Sequence, residues 1–174
     1  MYLPILTYPD KLLKKTSVPV AKVTTKITDF INSLFETMYT SETGIGLAAP
    51  QVGENINIFV MDVHIVDPDN PENKKPNPIA FINPIIIHSE DTIIYEEGCL
   101  SCPELLIDVE RSKHIIVESL DKEGRPQSHK LSDLSAVCVQ HEMDHLLGKL
   151  LTDKLSRLKR EIYKKQRVRD RAAG

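Results

Sequence analysis

Residues 132–148 have the sequence SDLSAVCVQHEMDHLLG, and this stretch predicts the helix around which the rest of the chain is interpreted. From Asp133 to Leu147 it contains neither proline nor glycine, and its apolar residues recur at helical intervals. Gly148 provides a stop signal, and Ser132 or Asp133 is a suitable residue to cap the start. We therefore predict one uninterrupted helix here.

The predicted helix contains the pattern HExxH, formed by His141, Glu142 and His145. Residues four apart project from the same helix face, so the two imidazoles can bind one divalent ion with Glu142 beside it. Such a short pattern also arises by chance, and the alternative is a charged helix face with surface histidines. That alternative leaves Glu142 unexplained, so a metallohydrolase is favoured.

A catalytic zinc site usually has three protein ligands and an open position, so a third ligand must come from elsewhere in the chain. Leu151 stands where a metzincin has its third histidine, and the only downstream glutamate, Glu161, lies in a basic segment. Cys99 is the best remaining donor. Cys102 forms a Cys-x-x-Cys pair with it, which is also typical of a redox pair or half of a structural zinc site. Cys138 is assigned to the pocket wall.

Three blocks of sequence closely resemble those of the bacterial peptide deformylases. They are GIGLAAPQ at 44–51, EGCLS at 97–101 and QHEMDH at 140–145, in that order. The similarity extends to YPD at 8–10 and DKLS at 153–156, and so covers most of the chain. The resemblance implies a metal-dependent hydrolase that removes the N-formyl group from the N-terminal methionine of newly synthesised proteins and releases formate.

The resemblance also implies the catalytic residues. The metal ligands would be Cys99, His141 and His145, with water or hydroxide as the fourth ligand. Glu142 would be the general acid and base, while the side-chain amide of Gln51 and the backbone N–H of Leu100 would stabilise the oxyanion.

For the substrate, the resemblance implies that backbone groups around Ile45 and Gly46 align the peptide as a strand. The methionine pocket would be formed by Glu97, Leu134, Val137 and Cys138. Thiolate and imidazole ligands together accept iron, zinc, nickel or cobalt. The resemblance favours ferrous iron as the native ion, with zinc giving a less active form.

The stretch 67–78 and two single positions depart from the family pattern. Cys102 is not required by it, and a second thiol beside Cys99 predicts a site that is more easily oxidised. Leu147 occupies a position that is usually polar or acidic in the family. None of these departures replaces a proposed ligand.

The composition is that of an ordinary globular protein, with 174 residues, 41% apolar and 27% charged. We predict a single domain over 1–174, and a monomer. No segment approaches the roughly 18 apolar residues of a membrane span, and the start lacks the pattern of a signal peptide. Three cysteines are too few for a disulfide framework, so we expect a cytoplasmic protein.

Periodicity predicts an amphipathic helix over 24–40. Stretches rich in isoleucine and valine predict strands at 57–63, 79–88, 92–95, 107–109 and 114–120. A polar stretch with four prolines at 67–78 predicts a loop. The expected fold is α+β, with antiparallel or mixed sheets packed around a central HExxH helix and followed by a C-terminal helix.

The predicted C-terminal helix, 154–171, is strongly basic. It contains nine Lys and Arg residues against Glu161 and Asp170, so it carries +7 and leaves −10 for the rest of a chain whose net charge is −3. A solvated helix explains this composition. The resemblance favours a contact with ribosomal RNA, because enzymes of this family act on nascent chains.

Other interpretations remain. An HExxH metallopeptidase would cleave internal peptide bonds, and a non-enzymatic module would close a zinc site with Cys99, Cys102, His141 and His145 and bind RNA through its basic tail. The spacing of Gly44, Gly46 and Ala49 also fits a dinucleotide-binding pattern. That pattern belongs between a strand and a helix, whereas a helix is predicted before it here.

Overall fold

A computed structural model describes residues 1–174 and shows an α+β fold with antiparallel sheets. The helices are α1 (Thr25–Tyr39), α2 (Asp133–Leu146) and α3 (Arg157–Ala173). The strands are β1 (Gly46–Ala48), β2 (Ile58–Asp62), β3 (Ile65–Val66), β4 (Lys74–Lys75), β5 (Pro78–Cys99), β6 (Cys102–Leu120) and β7 (Pro126–Ser132). Five strands form one sheet in the order β1-β2-β5-β6-β7, and β3 pairs with β4 in a separate ribbon.

A long hairpin of β5 and β6 dominates the sheet, with only Leu100 and Ser101 between the two strands. Each of these strands was predicted as two shorter ones. The polar residues 88–91 resemble a turn in sequence, but they are exposed and remain paired with β6. Register shifts near Ile82 and Ile86 further disturb the alternation of apolar and polar residues. Because pairing continues through these positions, the strands do not end there.

Strands β1, β3, β4 and β7 were not predicted. β7 has the sequence PQSHKLS and lies at an edge of the sheet, where its alternate side chains stay exposed or half-buried. Its sequence therefore lacks the alternation of apolar and polar residues by which a strand is predicted. The predicted loop 67–78 does contain Lys74 and Lys75 of the small β3–β4 ribbon, with irregular chain between the two strands.

The two long predicted helices are present with nearly the expected bounds. Thr24 stands at the N-cap of α1. Ser132 stands at the N-cap of α2 without capping it, because its hydroxyl lies 2.8 Å from Nδ1 of His114 instead. Gly148 follows α2 with φ of 69°, a left-handed conformation that favours glycine. For α2, the glycine that ends the helix is therefore a stronger signal than the serine that begins it.

The core lies on both faces of the main sheet. Successive residues of β2 point to opposite faces, so Ile58 and Val60 pack with α1 while Phe59 and Met61 pack with α2. The rings of Phe59 and Phe81 stack with their centroids 4.6 Å apart. Since α1 and α2 cover opposite faces, the predicted central position of α2 among the sheets is not confirmed.

The C-terminal helix begins at Arg157, three residues later than predicted. Ser156 caps it by accepting a hydrogen bond from the backbone N–H of Lys159, and residues 151–154 form a separate 3₁₀ turn. None of its residues is fully buried. No helix in the structure combines the length and the apolar composition that crossing a membrane requires.

Candidate metal centre and active-site cleft

Three donor side chains meet where α2 passes the end of β5. The ligand atoms of Cys99, His141 and His145 all lie within 4.8 Å of one another. The two Nε2 atoms are 3.3 Å apart, and the sulfur of Cys99 is 3.3 Å from Nε2 of His145. One helical turn separates the histidines, and the hairpin brings the cysteine to them from more than forty residues away in sequence. The structure thus brings together the three residues predicted as ligands.

The spacing of these donors fits a small divalent ion. Bonds of about 2.0–2.1 Å to nitrogen and about 2.3 Å to sulfur in a tetrahedron place two nitrogens about 3.3 Å apart and a nitrogen and sulfur about 3.6 Å apart. The measured separations are within a few tenths of an ångström of these values. Two imidazoles and one thiol leave a fourth position for water or substrate, as in catalytic sites.

Behind the histidines lies a buried network of charged groups. Glu97 accepts hydrogen bonds from Nε and Nη2 of Arg111 at 2.8 and 2.9 Å, and its Oε1 lies 2.8 Å from Nδ1 of His141. Arg111 also donates to Asp144 at 2.7 Å. Because Nδ1 of His141 is engaged, its Nε2 is directed toward the other donors. The network therefore fixes the orientation of one predicted ligand.

This network determines the charge of Glu97. Burial favours the neutral acid, but the hydrogen bonds from Arg111 and His141 outweigh it and lower the pKa of Glu97 to about 2. Burial also tends to lower the pKa of His141, yet its bond to Glu97 raises it. For His145, burial lowers the pKa well below its usual value, so the ring is neutral, which is the form that binds metals.

Arg111 was not predicted as a site residue. It falls between the two strands predicted at 107–109 and 114–120. The period-two pattern of β6 gives the missing signal, because Val109, Ile115 and Val117 are buried on the same face as Arg111. An arginine at an inward position requires a carboxylate partner, and Glu97 lies on the neighbouring strand.

Glu142 stands beside the donor cluster with its carboxyl group buried and unpaired. It is 4% exposed, and its Oε2 has no hydrogen-bond partner in the protein. Burial raises the pKa of Glu142 to about 7. A carboxyl group that exchanges its proton near neutrality is suited to general acid and base catalysis.

Gly46 makes room for this carboxyl group. A Cβ atom at that position would lie 2.6 Å from Oε1 of Glu142 and 2.9 Å from the sulfur of Cys138. Only glycine allows β1 to approach α2 so closely. Gly46 thus serves packing against α2. A helix, α1, and not a strand precedes Gly44, so the order of elements does not match the dinucleotide-binding pattern.

Gln51 is held in a fixed orientation within a 3₁₀ turn. Its Oε1 accepts a hydrogen bond from the backbone N–H of Ala48 at 2.9 Å, and its Nε2 donates to Ser101 at 3.1 Å. The same Nε2 lies 3.7 Å from the sulfur of Cys99. Leu100 directly follows that cysteine in the turn between β5 and β6. Both predicted oxyanion donors therefore lie close to the donor cluster.

A cleft of about 720 Å³ adjoins these groups. All the residues predicted for substrate contact line it, namely Ile45, Gly46, Glu97, Leu134, Val137 and Cys138. One wall is β1, an edge strand of the main sheet, so part of its backbone is free to pair with an extended peptide. A second cleft of about 470 Å³, near Tyr39 and His129, contains none of the predicted site residues.

Cys102 lies behind Cys99 and outside the donor cluster. It is 1% exposed, and the group of converging donors comprises Cys99, His141 and His145 without it. This arrangement does not favour a closed four-ligand zinc module. The neighbouring Cys102 thiol, together with burial, raises the pKa of Cys99, so a nearby cation is needed to hold Cys99 as a thiolate.

Comparison with known proteins identifies the family. The sequence profile of the family described as Polypeptide deformylase matches residues 2–161. The chain belongs to the polypeptide deformylase family. A peptide deformylase of Alkalilimnicola ehrlichii is 44% identical over 164 residues, which cover 94% of this chain and 88% of that protein. The predicted family and enzyme class are therefore confirmed.

Solved peptide deformylase structures share the fold. The enzyme from Ehrlichia chaffeensis in complex with actinonin has a TM-score of 0.87 and 34% identity, covering 97% of each chain. The Met-Ala-Ser-bound class I type b enzyme from Acinetobacter baumannii has a TM-score of 0.79 and 28% identity, covering 89% of this chain and 99% of that one. The α+β deformylase fold thus extends over most of the chain.

Proposed function

We propose that this chain hydrolyses the formamide of peptides that begin with formyl-methionine and releases formate, acting on newly synthesised proteins in the cytoplasm. The observation that carries this proposal is the unpaired, buried carboxyl group of Glu142 beside the three converging donors, at the cleft of a deformylase-family chain. The peptide in the Acinetobacter baumannii structure begins with methionine, as a deformylated product would.

Cys99, His141 and His145 would hold the divalent ion. When bound, such an ion lowers the pKa of a water molecule to roughly 7 and polarises the carbonyl to be attacked. The mixed thiolate and imidazole donors accept ferrous iron, zinc, nickel or cobalt, and we infer ferrous iron as the native ion. Glu97 and Arg111 would keep His141 oriented for this role.

Glu142 would move the proton. With a pKa near 7, it can accept a proton from the attacking water and then transfer it to the departing amine nitrogen. Such general acid and base catalysis contributes typically about 10²- to 10⁴-fold in rate. Burial is what gives Glu142 this property, because the same burial penalises its charged form.

Gln51 and Leu100 would stabilise the negative charge that develops on the formyl oxygen. The amide of Gln51 is already fixed by Ala48 and Ser101, so it needs no reorganisation during the reaction. Donors of this kind are worth about 2.7–4 kcal/mol each in comparable sites. A neutral amide serves here, whereas a carboxylate would repel the oxyanion.

The cleft would bind the peptide as an additional strand on β1. Backbone groups at Ile45 and Gly46 would align it, and Leu134, Val137 and Cys138 would form the wall of the methionine pocket. Glu97 also lines the cleft, but both of its carboxylate oxygens are engaged by other side chains. We therefore assign Glu97 to the shape of the pocket and to His141, not to a polar contact with substrate.

Formate release from formyl-Met-Ala-Ser tests this function directly. The protein is purified anaerobically with ferrous iron, and wild type is compared with Glu142→Ala at equal metal content. We expect rapid formate release from wild type and a loss of about 10²-fold or more in the variant. Cleavage of internal bonds in casein without formate release would instead identify a peptidase.

We further propose that α3 contacts ribosomal RNA. Tyr163 anchors one side of the helix by donating to the carbonyl of Pro103 at 2.8 Å, while Lys159, Lys164 and Lys165 are exposed. Reversing these three lysines to glutamate preserves the anchor and removes the positive surface. We expect weaker, less salt-dependent cosedimentation with ribosomes. Unchanged binding by this variant, or by a chain truncated at Leu155, would contradict the proposal.

A further inference from the structure

Cys99 and Cys102 face each other across the turn that joins β5 to β6. They are directly paired residues of the antiparallel ladder, with only Leu100 and Ser101 between them. Paired residues of this kind have Cα atoms about 4.5–5.5 Å apart and side chains on the same face. Disulfides span Cα distances of about 4.4–6.8 Å, so the backbone already has the spacing that a disulfide requires.

The two thiols differ in their access to solvent. Both cysteines line the cleft, but Cys99 is half-buried whereas Cys102 is only 1% exposed. Cys138 lies on α2, and its thiol is directed toward the carbonyl of Ile45 at 3.7 Å. A small oxidant that enters the cleft therefore meets Cys99 first, with Cys102 as its cross-strand neighbour. A reactive cysteine beside a second, resolving cysteine is the arrangement found in redox-sensitive sites.

We propose that the Cys99–Cys102 pair is a site of reversible oxidative modification, in which Cys102 resolves the oxidised form of Cys99. A peroxide first oxidises the Cys99 thiolate, so that an S–O bond forms, the O–O bond breaks and hydroxide leaves. The Cys102 thiolate then attacks this sulfur, forming the S–S bond and expelling a second hydroxide. The proton of the Cys102 thiol and one proton from solvent convert the two hydroxides to water.

The disulfide would remove one ligand from the metal centre and leave only His141 and His145. The ion would then be released, and reduction of the disulfide would restore the site. Without Cys102, the sulfenic acid on Cys99 would be open to further oxidation to sulfinic and sulfonic acids, which reductants do not reverse. This inference rests on the proposed metal-binding role of Cys99 and concerns how that site responds to oxidants.

Mass mapping of the zinc-loaded protein after exposure to hydrogen peroxide tests the inference. Trypsin places Cys99 and Cys102 together in fragment 75–111 and Cys138 in fragment 131–149. In wild type we expect fragment 75–111 to lose two hydrogens and resist iodoacetamide, together with stoichiometric zinc release. A dithiol reductant should restore both labelled thiols and zinc binding.

The matched variants are Cys102→Ser and Cys138→Ser. In Cys102→Ser, fragment 75–111 should gain two or three oxygens at Cys99, and zinc binding should not return after reduction. Cys138→Ser should still form the disulfide. The zinc content of each variant before peroxide treatment verifies that its fold and metal site are intact. If Cys102→Ser binds less zinc than wild type, Cys102→Ala is used in its place.

The two proposals fail in different ways. A wild-type protein that binds no zinc would overturn both the proposed metal centre and this inference. A protein that binds zinc but accumulates sulfinate in fragment 75–111 without a disulfide would overturn this inference alone. The same holds if Cys102→Ser recovers zinc binding after reduction as completely as wild type does.

Discussion

Two glutamates, one on each side of His141, have similarly small exposed fractions, but the pKa values of their carboxyl groups are shifted in opposite directions. Glu97 is 5% exposed and Glu142 is 4% exposed. The pKa of Glu97 is lowered to about 2, because hydrogen bonds from Arg111 and His141 outweigh its burial, whereas burial raises the pKa of Glu142 to about 7. Burial favours the neutral acid in both residues, and only Glu97 has hydrogen-bond donors that outweigh this effect.

Because their pKa values differ, Glu97 and Glu142 are suited to different roles in the site. A carboxylate that remains charged and has three hydrogen-bond partner atoms can hold His141 in one orientation, but it cannot exchange protons near neutral pH. An unpartnered carboxyl group can exchange protons, but it fixes nothing in place. The chain thus uses Arg111 to make Glu97 structural, and leaves Glu142 without a cationic hydrogen-bond partner so that it remains reactive.

Replacing each glutamate by glutamine should separate the two roles most clearly. Glu142→Gln should lower kcat by about 10²- to 10⁴-fold and keep its metal, because only the proton carrier is lost. Glu97→Gln should lower metal affinity by about 10- to 100-fold and regain most of its kcat at saturating metal. Formate release and metal content are measured in parallel. Equal losses of kcat at saturating metal would contradict this division.

Removing Arg111 should destabilise the fold. Arg111→Met leaves the carboxylate of Glu97 buried without its main partner, and breaking a buried ion pair on one side costs about 3–5 kcal/mol. Urea unfolding at matched metal content measures this loss. The double variant Arg111→Met/Glu97→Gln should recover much of the stability, since no uncompensated charge then remains between β5 and β6. A single variant as stable as wild type would show that this ion pair is dispensable.

The sequence was sufficient to propose Glu142 and the histidines as candidate site residues, but not Arg111. A ligand pair four residues apart is a local pattern, and the helix that carries it has strong periodicity. Arg111 acquires its role only when β6 pairs with β5 and brings it opposite Glu97, and pairing over such a distance leaves no local pattern.

Prediction of the fold had the same limit, because local periodicity could be recognised but pairing between distant segments could not. α1 and α2 were predicted closely because helical periodicity repeats within each segment. The hairpin of β5 and β6 was predicted in four pieces, since its polar positions at 88–91 and 110–113 have no apolar pattern. β7 was missed because its stability comes from pairing with β6 at the edge of the sheet and not from its own composition.

Stability should depend on pH in opposite directions for the two glutamates in protein freed of metal by a chelator. The pKa of Glu97 lies below its ordinary value of 4.5, so Glu97 stabilises the fold above about pH 4.5, and this contribution is lost as the pH falls toward about 2. The pKa of Glu142 is raised from 4.5 to about 7, so its contribution is present below about pH 4.5 and is lost as the pH rises through about 7.

Urea unfolding between about pH 4 and pH 8 measures the effect of Glu142. Relative to wild type, Glu142→Gln should gain stability as the pH rises across this range, by on the order of a few kcal/mol. If the difference in unfolding free energy between the two proteins does not change with pH, the pKa of Glu142 is not raised in the folded state. Glu97→Gln serves as the control, because its difference from wild type should change mainly below about pH 4.5.

Gly46→Ala should disturb Glu142 without disturbing Glu97 and Arg111 on the other side of His141. Its Cβ would lie 2.6 Å from Oε1 of Glu142, so that side chain must shift, and a displacement of about 1 Å in a catalytic group can cost about 10²-fold in rate. Metal content should be unchanged, because the added methyl group meets no proposed ligand among its nearest atoms. Gly98→Ala is the matched control. It lies in the same cleft beside Cys99, but its Cβ would meet the end of the flexible Leu106 side chain at 3.1 Å and the carbonyl oxygen of Leu105 at an ordinary contact distance of 3.8 Å. Equal losses of kcat in both variants would show that the close approach of β1 does not position Glu142.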